Sequence, residues 1–372
     1  MIVGCPKEIK KHEYRVGLVP SSVRELVERG HKVIMETGAG EGINFTDEDY
    51  KDCGAEILGT AKEVFDKADM IVKVKEPQPS EYGLLRDGQV LFTYLHLAAD
   101  KEQAKGLMDS GCVAIAYETV TDKHGGLPLL APMSEIAGRL SVQVGANVLQ
   151  KHCGGTGRLV GGVPGVMSSK VLIIGGGVSG FHAARMATGM EASVTIMERN
   201  PDRMRFLDDY FAGRAEVVYS NTDTIERFVQ DVDMVIGAVL IPGASAPKLI
   251  SKDMLSTMIK GTTLVDIAID QGGCFETSKP TTHDDPTYVV DDVVHYCVAN
   301  MPGAVPLTSA LHLNHAVLPY MLRLADKGWQ DALNADPHLA EGLNVCHRKV
   351  THKAVAESLD LDFTEPDNLI AA

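Results

Sequence analysis

The 372-residue chain lacks what several classes of protein require. Its seven cysteines, Cys5, Cys53, Cys112, Cys153, Cys274, Cys297 and Cys346, are odd in number, scattered, and form no C-x-x-C pair. That pattern argues against a disulfide frame or zinc knuckle and for reduced thiols. "HCGG" and the dispersed histidines lack zinc-ligand spacing, so no catalytic metal is expected. Positive charge is scarce: 35 Lys and Arg against 50 Asp and Glu give a formal net charge of −15. The basic face needed for nonspecific nucleic-acid or anionic-membrane binding is therefore not expected. Glycines and charges interrupt every apolar run before it could span a bilayer, and "MIVGCPKEIKKHEYR" has no signal-peptide core. Short-period repeats and low-complexity segments are also missing. These absences predict a soluble cytoplasmic protein.

What is present suits two domains, by length, with cores built from the 45% hydrophobic residues. In the first third, strand-like "MIVGC", "HKVIMET", "ADMIVKVK", "QVLFTYL" and "CVAIAYE" alternate with helix-like "SSVRELVERG", "FTDEDYKDCG" and "KEQAKGLMDSG". Ser22 and Glu25 offer a capping box, and Gly30 a helix stop. A proline-bounded segment leads into a long helix expected from near Ser134. A second series follows: "KVLIIGGG", "ASVTIMER", "AEVVYS", "VDMVIGAVL", "TTLVDIAID" and "TYVVDDVVHYCVANM". From about Leu307 the pattern reads as helical. The order predicts an α/β fold of two doubly wound domains with mostly parallel sheets, the tail returning to the first: 1–130 plus 307–372, and 131–306.

The strongest local signal is "KVLIIGGGVSG", where Gly175, Gly177 and Gly180 satisfy G-x-G-x-x-G between an apolar strand and a helix-like run. Small residues permit a tight turn, close approach to a pyrophosphate and packing of helix on strand. About twenty residues on, Glu198 closes the next strand, where a carboxylate binds the adenosine ribose diol of NAD. Arg199 and Arg203 offer a route to the 2′-phosphate of NADP, but Glu198 would repel it, so NAD is favoured.

Four ionisable residues stand at expected strand ends or in loops: Arg15, Lys75, His96 and Asp270. Arginine offers a fork for a carboxylate, and lysine can stabilise charge developing on oxygen. A histidine can carry protons near neutrality, and an aspartate can orient water. Each also has an ordinary reading as solvated charge, core histidine or turn cap. In "VDIAIDQGG" the alternation of Val265, Ile267 and Ile269 predicts one strand delivering Asp270 to the sheet edge.

The chain resembles the alanine dehydrogenase family, which is related to the nucleotide-binding part of proton-translocating transhydrogenase. The resemblance rests on "GCPKEIKKHEYRVGLVP", "VKVKEPQPSEY", "LFTYLHLAAD", "APMSEIAGR", "GGVPGV", "GAVLIPGASAPKLI", "VDIAIDQGGCFETSKPTTHDDPTY" and "VHYCVANMPGAVP". It implies that Arg15 and Lys75 bind the keto or amino acid and that His96 and Asp270 are catalytic. It also implies that Ser134, Val178, Glu198, Arg203, Ser220, Val239, Leu240, Ile267 and Asn300 surround NAD. The implied molecule is a homohexamer of two Rossmann-like domains per chain, with the cofactor in the cleft. Its implied reaction interconverts L-alanine with pyruvate and ammonium. Glu198 stands where many relatives carry aspartate, and Leu307 where they often carry arginine; "LHLNHAVLPY" and "NVCHRKVTHK" also depart from the usual pattern. Two other readings are a transhydrogenase component, which would need a membrane partner, and a noncatalytic NAD-binding interaction protein.

Overall fold

The computed structural model describes residues 1–239 and 246–370. The chain divides into two compact units, Met1–Pro132 with Val305–Ala372, and Met133–Ala304.

The sheet of the first unit runs, edge to edge, Lys349–Val350, Leu343–Cys346, Val113–Ala116, Val90–Thr93, Met70–Val72, Ile2–Cys5, Lys32–Glu36 and Glu56–Leu58. The six strands from the amino-terminal part pair in parallel; the two late ones are antiparallel. Central segments such as Val90–Thr93 and Val113–Ala116 are wholly buried, as expected for strands covered on both faces. Taken in chain order, the parallel strands lie 3-2-1-4-5-6.

In the second unit the sheet runs Thr287–Val290, Val293–Tyr296, Thr263–Asp266, Met234–Gly237, Lys170–Ile174, Ser193–Glu198 and Glu216–Tyr219. Only the Thr287–Val290 edge is antiparallel, and the remaining strands again lie 3-2-1-4-5-6. This doubly wound order leaves a crevice at the carboxyl ends beside strand 1, where the winding reverses.

Several local expectations change. The tail is not all helix: after the helix Pro306–Lys327 it adds Leu343–Cys346 and Lys349–Val350 to the first sheet. The first unit also gains the short strand Glu56–Leu58 and helix Ala61–Lys67. The first helix starts at Pro20 with Val19 as its cap, so Ser22 and Glu25 form no capping box. Proline favours that first helical position, and Ser22 Oγ instead donates to Asn314 Oδ1 at 2.9 Å. Gly30, at φ 84°, follows the helix end. The long helix spans Ala131–Val148, with Ser134 in its first turn.

The segment "VDIAID" is not one strand. The strand stops at Asp266, and Ile267–Gln271 forms a short 3-10 helix. Asp266 causes the stop: its carboxylate accepts from Ala268 N–H at 3.0 Å, from Cys274 N–H at 2.8 Å and from Ser278 Oγ at 2.5 Å. Local bonds of this kind compete with a ladder. Lys75 likewise lies beyond its strand, which ends at Val72.

Candidate active site

In the second unit, the described segments expected to surround a dinucleotide lie at or just beyond the carboxyl end of a parallel strand, except Ser134 on its helix. The glycines differ in what they permit. Gly175 has φ 102°, and a Cβ there would lie 2.7 Å from the Ala238 carbonyl oxygen. A Cβ on Gly180 would lie 1.8 Å from the Gly175 oxygen, so the helix Val178–Gly189 packs against the turn only without a side chain there. A Cβ on Gly177 would meet nothing within 4 Å, which leaves the helix N-terminus open for a phosphate to approach. Val178, the first helical residue, is exposed.

Glu198 ends its strand and accepts from three backbone N–H groups: Gly176 at 2.9 Å, Arg199 at 2.7 Å and Asn200 at 3.0 Å. Its carboxylate is thereby fixed beside the glycine turn. Arg203 Nε donates to the Gly176 oxygen at 2.6 Å, and its guanidinium lies 4.5 Å from the Phe206 ring centroid. Arg199 Nε donates to the Ser220 oxygen at 3.2 Å. Both arginines are thus turned toward backbone carbonyls. Ser220 is buried, and its N–H reaches the Glu198 oxygen at 2.9 Å. Val239 follows Met234–Gly237, Ile267 opens the 3-10 turn, and Asn300 adopts φ 61°. Leu240 lies outside the described residues. Asp270 is exposed within Ile267–Gln271. After it, Lys248 Nζ donates to the carbonyls of Gly272 and, at 2.9 Å, Gly273. These residues fit a dinucleotide: an open glycine turn at a helix start, with a carboxylate at the adjoining strand end.

The first unit puts ionisable side chains at the corresponding carboxyl edge of its own sheet. Arg15 is buried and paired in fork geometry with Glu13, Nε to Oε1 at 2.6 Å and Nη2 to Oε2 at 2.5 Å. Burial alone would raise the Glu13 carboxyl, but Arg15 overrides it and holds the group near a pKa of about 2. Lys75 is buried too, and its charge also acts on Glu13. Against the effect of burial, Lys75 and Lys10 draw Glu76 below the usual carboxylate range.

His96 lies three residues past Val90–Thr93, exposed and in the left-handed region at φ 49°. That conformation is uncommon outside glycine. Two features hold it. Glu118, just past Val113–Ala116, accepts from His96 N–H at 2.6 Å and from Leu95 N–H at 3.2 Å. The His96 ring also stacks on Tyr94, centroids 5.8 Å apart at 10°. Tyr94 is buried, which raises its phenol well above the usual value, and the nearby Arg15 opposes that rise. Arg15, Lys75 and His96 therefore belong to one neighbourhood, whereas Asp270 belongs to the other unit. Sequence reasoning missed Glu13, Tyr94 and Glu118. The spacing of Glu13 two residues before Arg15 was the one local hint.

The fold and these sites define a doubly wound, dinucleotide-binding α/β protein. Comparison with known proteins narrows the class. The model of the alanine dehydrogenase/PNT N-terminal domain matches residues 4–137, and that of the C-terminal domain matches residues 141–353. The chain belongs to this alanine dehydrogenase/PNT family. The alanine dehydrogenase of Halomonas elongata is 57% identical over 370 residues, covering 100% of both chains. That of Mycobacterium tuberculosis is 52% identical over 371 residues, again covering 100% of both. A solved L-alanine dehydrogenase superposes with a TM-score of 0.94 at 52% identity, over 97% of this chain and 99% of that one. A transhydrogenase from Sinorhizobium meliloti, at 22% identity, 94% and 100% coverage and a TM-score of 0.82, shares the fold.

Proposed function

We propose that the chain is an amino-acid dehydrogenase that catalyses the reversible NAD-dependent oxidative deamination of L-alanine to pyruvate and ammonium. The observation that carries the reading is the grouping of Arg15, Lys75 and His96 at one sheet edge, in a chain that aligns end to end with alanine dehydrogenases. The Met133–Ala304 unit is the NAD-binding domain, and the other unit is the substrate and catalytic domain.

Bound NAD supplies the nicotinamide ring that exchanges hydride with the substrate Cα. Arg15, already held in plane by Glu13, clamps the carboxylate common to alanine and pyruvate. Lys75 places positive charge on the keto oxygen and on the carbinolamine. His96 moves the protons as the iminium takes up water and the carbinolamine collapses. Asp270 orients the water or ammonia and balances charge. Alkaline pH favours deamination, because alanine must present an uncharged amine before its Cα can release hydride.

Glu198 repels a 2′-phosphate, and Arg199 and Arg203 are engaged by backbone oxygens, which supports NAD over NADP. The exposed apolar side chains Leu159, Val163, Val166 and Met167, grouped around the Val163–Val166 bridge, support self-association. A homohexamer is the assembly we infer, and light scattering checks it. A cytoplasmic setting fits seven cysteines that are all free; no helix among the described residues is long and apolar enough to cross a membrane.

The deciding experiment follows NADH absorbance with L-alanine and NAD⁺, and with pyruvate, ammonium and NADH, beside serine, glycine and NADP(H). Alanine-dependent turnover in both directions is expected. NADH binding without turnover of any amino acid would overturn the reading.

A further inference from the structure

Beside Lys75 lies a second buried cluster. Glu8, Lys73 and Glu81 are all buried, and Lys73 Nζ lies 3.1 Å from Glu8 Oε2 and 3.0 Å from Glu81 Oε1. Burial would lower the Lys73 ammonium, but Glu8 and Glu81 override that and keep it charged. The other oxygens of both carboxylates grip backbone. Glu8 Oε1 accepts from Val74 N–H at 2.6 Å and from Lys75 N–H at 3.3 Å. Glu81 Oε2 accepts from Gln78 N–H at 2.8 Å, closing the cap of the helix Pro79–Tyr82. On the far side, Thr93 Oγ1 donates to the Lys75 carbonyl oxygen at 3.0 Å. The peptide groups on both sides of Lys75 are thus tied down just past the last backbone bond to the neighbouring strand, from Tyr94 N–H to the Val74 oxygen at 3.3 Å.

Buried ion clusters add little stability over apolar packing of the same volume. What this one provides is fixed geometry for the backbone between Lys73 and Gln78. We propose that Glu8 is the positioning residue for Lys75: its carboxylate, anchored by Lys73, sets where Lys75 leaves the sheet edge and so where the oxygen of a 2-keto acid is received. The inference rests on the reading of Lys75 as a substrate-binding residue. Glu8 touches neither substrate nor cofactor in this scheme; it acts through the main chain.

The test compares Glu8→Asp and Glu8→Gln in the full chain, with pyruvate, ammonium and NADH, each rate normalised to NADH-binding sites titrated by fluorescence. Aspartate keeps the charge but falls one methylene short of the two N–H groups. Glutamine keeps the reach and one acceptor oxygen for the two N–H groups, but it turns an amide NH2 toward the Lys73 ammonium, so it loosens the anchor and keeps the grip, while Lys73 retains Glu81. Glu8→Asp should lower kcat/KM for pyruvate roughly 10- to 100-fold with the NADH Kd within about 2-fold, because small displacements at a reacting centre are costly. Glu8→Gln, which keeps the two N–H contacts but not the Lys73 anchor, should lose less, about 3- to 5-fold. Loss of a buried charge alone would give the opposite ranking. Near-normal pyruvate kinetics in Glu8→Asp, or equal impairment of both variants, would overturn the proposal.

Should Glu8→Asp fail to fold, the double variant Glu8→Met with Lys73→Met takes its place, since it removes the acceptor of the Val74 and Lys75 N–H groups together with the lysine that anchors it. Unchanged pyruvate kinetics there would equally overturn the proposal. Lys75→Ala separates the two layers of the argument. If Lys75→Ala retains pyruvate turnover, the reading of Lys75 itself fails. If it loses turnover and Glu8→Asp does not, the positioning role alone fails.

Discussion

The two units share a strand order and a carboxyl-edge crevice, yet they furnish that edge in opposite ways. In Met133–Ala304 the edge is built from backbone and small residues: an open Gly177, a left-handed Gly175 and a Gly180 whose missing side chain lets a helix sit on a turn. In the other unit the edge is built from buried charge, with Arg15 on Glu13 and Lys73 between Glu8 and Glu81. On the function proposed above, the difference follows from what each edge would recognise. A pyrophosphate is met by N–H groups at a helix start, which any sequence with space supplies. A small keto acid offers few atoms, so each contact needs a side chain held in one orientation by a partner.

The comparison breaks most visibly if the two edges are not functionally separate. Replacement of His96 or Lys75 by alanine should lower turnover by about 10³-fold, while NADH affinity stays within about 2-fold. Stopped-flow rates beside NADH titrations measure both, and a parallel loss of NADH affinity would sink the division of labour. Asp270→Asn should also lower kcat severely, although Asp270 lies in the second unit.

Within the charge-built edge, the Arg15–Glu13 pair should weaken in acid. Glu13 has a depressed folded-state pKa, from 4.5 to about 2. Its contribution is therefore complete above about pH 4.5 and is lost as pH falls toward 2. At 1.36 kcal/mol per unit this is on the order of 3 kcal/mol. Denaturant melts across that window should show the loss, and Glu13→Gln should flatten it. An unchanged slope in that variant would remove Glu13 as its source.

The backbone-built edge should fail sterically instead. Gly180→Ala brings a methyl group against the Gly175 carbonyl, so the turn must open. Overpacking of this kind costs roughly 1 to 3 kcal/mol. We expect NADH affinity to drop about 10- to 30-fold, with the melting of the other unit unaltered. Unchanged affinity in a folded variant would show that the turn adapts. The smallest effect is expected at Glu198: Glu198→Gln should narrow the preference for NADH over NADPH by about 10-fold, read from kcat/KM for the two cofactors.

Legibility in the sequence divides along the same line. The glycine turn between a strand and a helix, and the alternation of strands with helices, were readable in the sequence. The short strands Leu343–Cys346 and Lys349–Val350 were not, because four and two residues carry too little periodicity to be told from loop. Leu343–Cys346 is a strand because Val113–Ala116 offers an edge to pair with, and Lys349–Val350 because Leu343–Cys346 offers the next. "VDIAID" misled for a related reason. Its alternation is genuine, but three hydrogen bonds to the Asp266 carboxylate end the strand four residues before Asp270.

By itself the sequence determined two doubly wound units and a dinucleotide turn, since turn conformation and helix packing depend on neighbours a few residues apart. Apart from Glu13 beside Arg15, the partners of its buried charges were decided by tertiary structure. Glu8 meets Lys73 across 65 residues, and Glu118 reaches back 22 to hold His96 in a left-handed turn. Such pairs exist only once the parallel strands have set their loops side by side and excluded water. Burial then obliges each charge to find a partner, and local sequence does not record which one.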